Sequence, residues 1–279
     1  AVEVVVGHNR EKQRYLSQDR PFLHALGVTT QDAHIVPAMA RKWKQINKFV
    51  EVFDHALRSS SLAASGNVQV VDFGSGKGYL TFAVHDYLSH VLKRDVQVTG
   101  IELRDDMVAL CQGVIENLHL KGMGYFQGDV RSQEPPAMNV MIALHACDVA
   151  TDYAIHLGIK AGAEIIMCSP CCHKEVRPQL RNPGVLRGML SHGIHQGQQA
   201  EMITDSLRAL LLDACGYDTQ VFEFVQLEHS AKNKMILAVK RQAAQPNGEA
   251  LRQVHDIKEF YAVREQCLEF LLRADGLLA

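Results

Sequence analysis

The chain has no apolar run long enough to span a bilayer, and no basic-then-apolar leader opens it. A cytoplasmic protein with no membrane partner is therefore expected. It also lacks an excess of either charge: 29 Lys and Arg stand against 31 Asp and Glu, for a formal net charge of -2. That balance argues against a chain that coats nucleic acid by bulk charge. Local asymmetry survives it, since Lys174, Arg177, Arg181 and Arg187 surround the single acid Glu175. Evenly spaced cysteines are missing too. Of 7 cysteines, Cys147, Cys171 and Cys172 cluster, unlike a secreted disulfide framework, so a reducing compartment is expected. Internal repeats and low-complexity tracts are absent, and 279 residues are enough to bury a full core without staples.

What is present alternates. Trp43, Ile46, Val50, Phe53 and Leu57 recur three or four apart, predicting a helix from Ala38 to Leu57. Strand-like runs follow at 68–73, 96–102, 124–127, 139–144, 164–168, 219–224 and 234–239. Helical patterns fill the gaps at 78–91, 104–118, 150–158 and 197–215. That alternation is the signature of parallel β-α-β units. The last two strands, joined by a loop alone, are expected to pair antiparallel at an edge. Short elements are also read at Val2 to Val6, Glu11 to Tyr15 and Pro21 to Leu26, a linker at Ala243 to Glu249, and one or two terminal helices at Leu251 to Leu272. The expected fold is α/β, a Rossmann-like seven-stranded mostly parallel sheet with helices on both faces. The expected regions are an N-terminal helical cap over 1–64, the sheet domain over 65–242 and a C-terminal helical extension over 243–279.

The run Val70-Val71-Asp72-Phe73-Gly74-Ser75-Gly76-Lys77-Gly78-Tyr79-Leu80 is a strand that breaks into alternating glycines and resumes as a helix. Glycines let the backbone turn tightly and approach a ligand, and the helix start offers unpaired N–H groups. The spacing is neither G-x-G-x-x-G nor a Walker loop. Asp72 inside the turn disfavours pyrophosphate and suits a cofactor with a cationic group. S-adenosyl-L-methionine meets these demands, with Asp72 toward its amino acid portion and Glu102, ending the second strand, on its ribose hydroxyls.

These residues resemble the class I S-adenosylmethionine-dependent methyltransferases. Val71 to Gly78 is similar to their glycine-rich first motif, Glu102 to their ribose ligand, and Gln127-Gly128-Asp129 to the site where an Asp meets the adenine amino group. The resemblance covers Val68 to Val239. It implies a cofactor site of Asp72, Gly74, Ser75, Gly76, Gly78, Tyr79, Glu102, Leu103, Asp129, Val130 and Leu144.

The substrate side falls to two neighbouring strand ends, Leu144-His145-Ala146-Cys147-Asp148 and Ser169-Pro170-Cys171-Cys172-His173-Lys174. His145 or His173 is a candidate general base, since imidazole titrates near neutrality, and Asp148 a candidate for orienting an imidazole or an acceptor. Methyl transfer from a sulfonium is an in-line displacement, so aligning the acceptor counts for more than a strong base. The cysteines read either as small buried hydrophobes or as groups facing substrate. They are numerous enough for zinc, but adjacent Cys171 and Cys172 ordinarily diverge and no C-x-x-C knuckle is present, so no metal is expected. Lys42, Lys44 and Lys48 read as a solvated helix face with stems on Trp43 and Phe49, or as phosphate-steering groups with Trp43 stacking on a base. Lys174 to Arg187 reads as a substrate lid. Candidate substrate contacts are Lys42, Trp43, Lys48, Cys171, Cys172, Lys174 and Asn233.

Lys42 to Phe49, Leu144 to Asp148, Pro170 to Lys174 and Ser230 to Lys234 together resemble a methyltransferase subgroup with a Pro-Cys-Cys-His element. It is found in bacterial proteins and eukaryotic methyltransferase-like proteins. That subgroup is distantly similar to enzymes that methylate a ribose hydroxyl in transfer RNA. Neither Asn-Pro-Pro-Tyr nor Asp-Pro-Pro-Tyr occurs after the fourth strand, which argues against amino methylation. The expected activity is methyl transfer to RNA or another phosphate-bearing acceptor. The alternatives are a small aromatic or heterocyclic metabolite, or cofactor binding without catalysis. Oligomeric state is open, with a monomer favoured.

Overall fold

The computed structural model describes residues 15–64, 66–132, 134, 136–144, 146–181, 184–224, 234–243 and 247–278. Val2 to Val6, most of Glu11 to Tyr15, His145 and Asn233 lie outside the described residues.

Short α1 (Pro21–Ala25) and long α2 (Ala40–Ser59) precede the sheet. Then β1 (Asn67–Phe73), α3 (Tyr79–Asp86), β2 (Asp95–Glu102), α4 (Asp105–Asn117) and β3 (Met123–Gln127) alternate. After them come β4 (Val140–Ala143), α5 (Val149–Lys160), β5 (Ile165–Cys168) and α6 (Gly193–Ala214). The chain continues through β6 (Tyr217–Glu223), β7 (Lys234–Lys240), α7 (Gly248–Tyr261) and α8 (Cys267–Ala274). The seven strands form one sheet in the order β3-β2-β1-β4-β5-β7-β6. β1 to β5 run parallel, and β7 lies antiparallel between β5 and the edge strand β6. This is the expected mostly parallel α/β sheet with its antiparallel pair.

Period-two alternation divides the core. Val68, Val70, Val98, Ile142, Ile165, Met167 and Leu237 pack one face, against Phe49, Phe53, Phe82 and Leu88 of the α2 and α3 side. Phe73, Met141, Ala143, Ile166, Cys168 and Ile236 pack the other, against Ile155, Leu207, Leu211, Val254 and Leu268 from α5 to α8. Strands buried on both faces read as near-continuous apolar runs, as β4 and β5 do. α2 is tied to the turn of π-helix after α3 (Tyr87–Val91), where the Tyr87 hydroxyl donates to Asp54 at 2.6 Å. Among the described residues no helix is long and apolar enough to cross a membrane.

The strand order reverses between β1 and β4. Crossovers leave that point of the sheet on opposite faces and open a crevice outside the carboxyl ends of the strands, the place where open α/β sheets bind ligands.

Candidate active site

The glycine turn follows β1 at this crevice. Gly74 donates its N–H to the Ile101 carbonyl at 2.8 Å, and Gly78 donates to Ser75 at 3.0 Å. Gly76 and Gly78 sit at φ 54° and 73°, in the left-handed region where a Cβ is strained. A Cβ on Gly78 would meet the Tyr125 hydroxyl at 2.6 Å, whereas one on Gly76 would meet nothing within 4 Å. Gly78 is thus needed for packing at the start of α3, and Gly76 keeps its backbone open toward the crevice.

Two carboxylates flank the turn. Glu102 accepts the Gly76 N–H at 2.7 Å through Oε2 and the Arg104 N–H at 3.1 Å through Oε1. Asp72 is 4% exposed and accepts the Thr81 hydroxyl at 2.6 Å, while Thr81 in turn accepts from Tyr125 at 2.8 Å. Burial pushes the Asp72 carboxyl up to about 7; the Thr81 hydrogen bond opposes that rise and the Glu102 charge adds to it. A buried acid with so elevated a pKa gains most from a cationic guest, because a nearby positive charge restores its ionised form. Asp129 is different. Arg131 holds it through a 2.5 Å ion pair and a backbone N–H at 2.9 Å, and keeps its carboxyl below the ordinary carboxylate range.

These residues converge on a cleft of about 700 Å³. Of the expected cofactor residues, Asp72, Gly74, Ser75, Gly76, Tyr79, Glu102, Leu103, Asp129, Val130 and Leu144 line it; Gly78 does not. Among the expected substrate residues Lys42 lines it as well. Lys42 leaves the solvated face proposed from its spacing: it is buried, donates to Gln45 at 2.9 Å and lies 5.1 Å from the centre of the Tyr79 ring. Its stem rides the apolar stripe of α2 and carries the ammonium inward. Trp43 is half-buried against the core, and Lys48 pairs with Glu51 at 2.9 Å; neither lines the cleft.

Across the crevice, β4 and β5 end in register, Ala143 beside Cys168, so the segments that follow emerge together. Asp148 adopts φ 53° and ψ -123°, a backbone conformation few non-glycine residues take. It is held there. Its carboxylate accepts the Lys174 N–H at 2.8 Å, and its carbonyl accepts from Arg208 at 3.1 Å. Cys171 and Cys172 are half-buried, and their sulfurs approach to 3.7 Å. His173 is 5% exposed beneath them, its Nδ1 4.0 Å from Asp205 of α6, and does not line the cleft. The buried pair Arg208–Asp152, at 2.6 Å, anchors this layer, and Gln266 of the segment before α8 donates to Asp152 at 2.7 Å. Lys174 is exposed on the loop.

The cleft also includes Lys77, Arg104, Met107, Arg131, Cys147 and Val149, which are not among the expected site residues. Their signal was positional. Lys77 lies inside the glycine turn, Met107 in the first turn of the helix after Glu102, and Arg131 two residues past Asp129, all of them beside a strand's carboxyl end.

Comparison with known proteins supplies a family. Residues 41–179 match a family model described as a methyltransferase domain. The human protein named glutathione S-transferase C-terminal domain-containing protein is 27% identical over 223 residues, covering 71% of this chain and 33% of its own length. The Xenopus laevis protein of that name is 30% identical over 133 residues, 48% of this chain and 19% of its own. The chain therefore spans about a third or less of the length of these relatives. Among solved structures, magnesium protoporphyrin IX methyltransferase from Synechocystis PCC 6803 with bound SAH is 13% identical, with a TM-score of 0.46, over 79% of this chain and 93% of that one. TYW2 of M. jannaschii in complex with AdoMet is 14% identical, with a TM-score of 0.40, over 69% and 74%. The glycine turn with its two acids lies within the matched segment, and that segment is a methyltransferase domain.

Proposed function

We propose that this methyltransferase delivers its methyl group to RNA or another phosphate-bearing acceptor, at a hydroxyl or ring nitrogen. The observation that carries this reading is a run of exposed cations on the segment that leaves β5, the strand next to β4 in the sheet. Lys174, Arg177, Arg181 and Arg187 are all exposed on the segment leaving β5, and none forms an ion pair among the described residues. The one acid within that segment, Glu175, is half-buried, and burial pushes its carboxyl up to about 7, which weakens its opposing charge. Lys77 adds an exposed cation at the cleft itself. Phosphates are drawn to such a rim, and the sulfonium donor in the cleft then needs only an aligned acceptor.

S-adenosylmethionine, when bound, supplies the methyl group. Asp72 and Glu102 are suited to its ammonium and its ribose, and the open space beside Gly76 admits its backbone-close portion. A small aromatic acceptor is the weaker alternative, because the one tryptophan, Trp43, packs into the core instead of lining the cleft. We place the reaction in the cytoplasm on cysteine usage.

Radiolabelled methyl transfer to separated RNA, protein and metabolite pools tests the reading. Label in RNA that falls when Arg177, Arg181 and Arg187 are changed to Ser supports it. Label confined to the metabolite pool overturns it.

A further inference from the structure

The sulfurs of Cys147, Cys171 and Cys172 all lie within 4.8 Å of one another. Sequence spacing argued against such a cluster, since side chains of adjacent cysteines ordinarily diverge. The sheet brings it about. Ala143 and Cys168 are paired across β4 and β5, so Cys147 and the Cys171-Cys172 pair stand at nearly the same overhang beyond two neighbouring parallel strands. The Cys171 and Cys172 sulfurs are 3.7 Å apart, and none of the seven cysteines is in a disulfide. A disulfide needs about 2.05 Å between sulfurs. Four ligands at about 2.3 Å around zinc place their sulfurs about 3.8 Å apart. The Cys171–Cys172 separation is too long for the first arrangement and compatible with the second.

We propose that Cys147, Cys171 and Cys172 bind one zinc ion at the edge of the methyl-transfer cleft, with the fourth position taken by a donor outside these three thiols. Three features favour a site over a chance cluster. The donors are of one soft kind, which selects zinc over the oxygen-seeking magnesium and calcium. Their backbones are already fixed: Asp148 accepts from Lys174, Arg208 donates to the Asp148 carbonyl, and Thr151 donates to the Ala146 carbonyl at 2.7 Å. A metal site keeps its affinity when surrounding contacts orient its ligands in this way. An entry path exists as well, since Cys147 is exposed and the other two are half-exposed. The ion would cross-link the two segments that bound the acceptor side of the cleft. The binding itself does not depend on which acceptor is methylated.

Metal analysis of the full chain, purified without chelator and without a polyhistidine tag, reads the proposal directly. About one zinc per chain is expected, falling at least tenfold in Cys147→Ser and in Cys172→Ser and staying in Cys267→Ser. A far-ultraviolet circular dichroism spectrum like the parent's shows that the variants are folded. Alkylation mapping of the unaltered protein gives a second readout should they fail to fold: Cys147, Cys171 and Cys172 become labelled only after chelator is added. Any one of four results overturns the assignment: no stoichiometric metal after zinc loading, a stoichiometric metal other than zinc, labelling of the three cysteines that is indifferent to chelator, or a Cys171–Cys172 disulfide in reducing buffer.

Discussion

The Glu102 carboxylate at the end of β2 accepts the Gly76 N–H at 2.7 Å, so the acid and the glycine turn form one unit before any ligand arrives. The same carboxylate lines the cleft, with lone pairs remaining for ribose hydroxyls. Glu102 therefore acts twice, once on the turn's shape and once on the guest.

Glu102→Ala is expected to weaken S-adenosylmethionine binding by about 10- to 150-fold, the loss for a hydrogen bond to a charged group of about 1.5 to 3 kcal/mol. Glu102→Gln, which keeps one acceptor for Gly76, should fall between. Titration calorimetry separates the three proteins, and equal affinities would remove Glu102 from the site.

Gly76 and Gly78, both left-handed, should fail differently. Gly78→Ala drives a Cβ to 2.6 Å from the Tyr125 hydroxyl and to 2.8 Å from Phe82, inside the core, so it should lower the unfolding temperature. Gly76→Ala meets no atom within 4 Å and carries only the backbone strain, about 1 to 2 kcal/mol. Its main effect should be on cofactor affinity, with Gly76→Val more severe. Thermal melts beside binding curves decide it, and a Gly76→Val protein that binds like the parent sinks the close-approach role.

Asp72 couples stability and binding to pH in opposite senses. Its folded pKa of about 7 stands above its ordinary 3.8. Between those values the folded protein keeps a proton the unfolded chain has released, so the favourable contribution is full below 3.8 and lost as pH rises through about 7. At about pH 8 the unliganded fold then bears a penalty of at most about 4 kcal/mol at this residue. Asp72→Asn should raise the melting temperature there while weakening S-adenosylmethionine. In the parent, affinity should tighten up to about tenfold between about pH 6 and about pH 8, since the ammonium selects the ionised acid. An Asp72→Asn protein with the parent's pH profile would assign that titration to another group.

The sheet and the cofactor side were legible because their signals are local. Gly74, Gly76 and Gly78 declare a turn by themselves, and Val68 to Phe73 declares a buried strand. Lys42 was misleading because charge spacing on a helix does not reveal an apolar stem that carries the ammonium inward over Tyr79. Cys147 and the Cys171-Cys172 pair came together only through the register of β4 against β5, a relation between strands that neither segment carries alone. His173 was legible as an unusual residue but not as a buried one, because its neighbour Asp205 comes from a distant helix.

That buried layer yields the last prediction. Arg208 is 1% exposed and pairs with the fully buried Asp152 at 2.6 Å, while also donating to the Asp148 carbonyl. Removing one partner of a buried ion pair leaves the other charge without its compensation and costs about 3 to 5 kcal/mol. Arg208→Met should lose that much in urea denaturation. The double variant Arg208→Met with Asp152→Leu should recover part of it, because no carboxylate is then stranded at position 152, although Asp205 still loses the guanidinium 3.5 Å away. The single variant should also lower methyl transfer at temperatures where it stays folded, since Asp148 loses the contact that holds its strained backbone between the two strand-end segments. A loss under about 1 kcal/mol in Arg208→Met would mean that water reaches the pair, and the layer would then not be the dry anchor its burial implies.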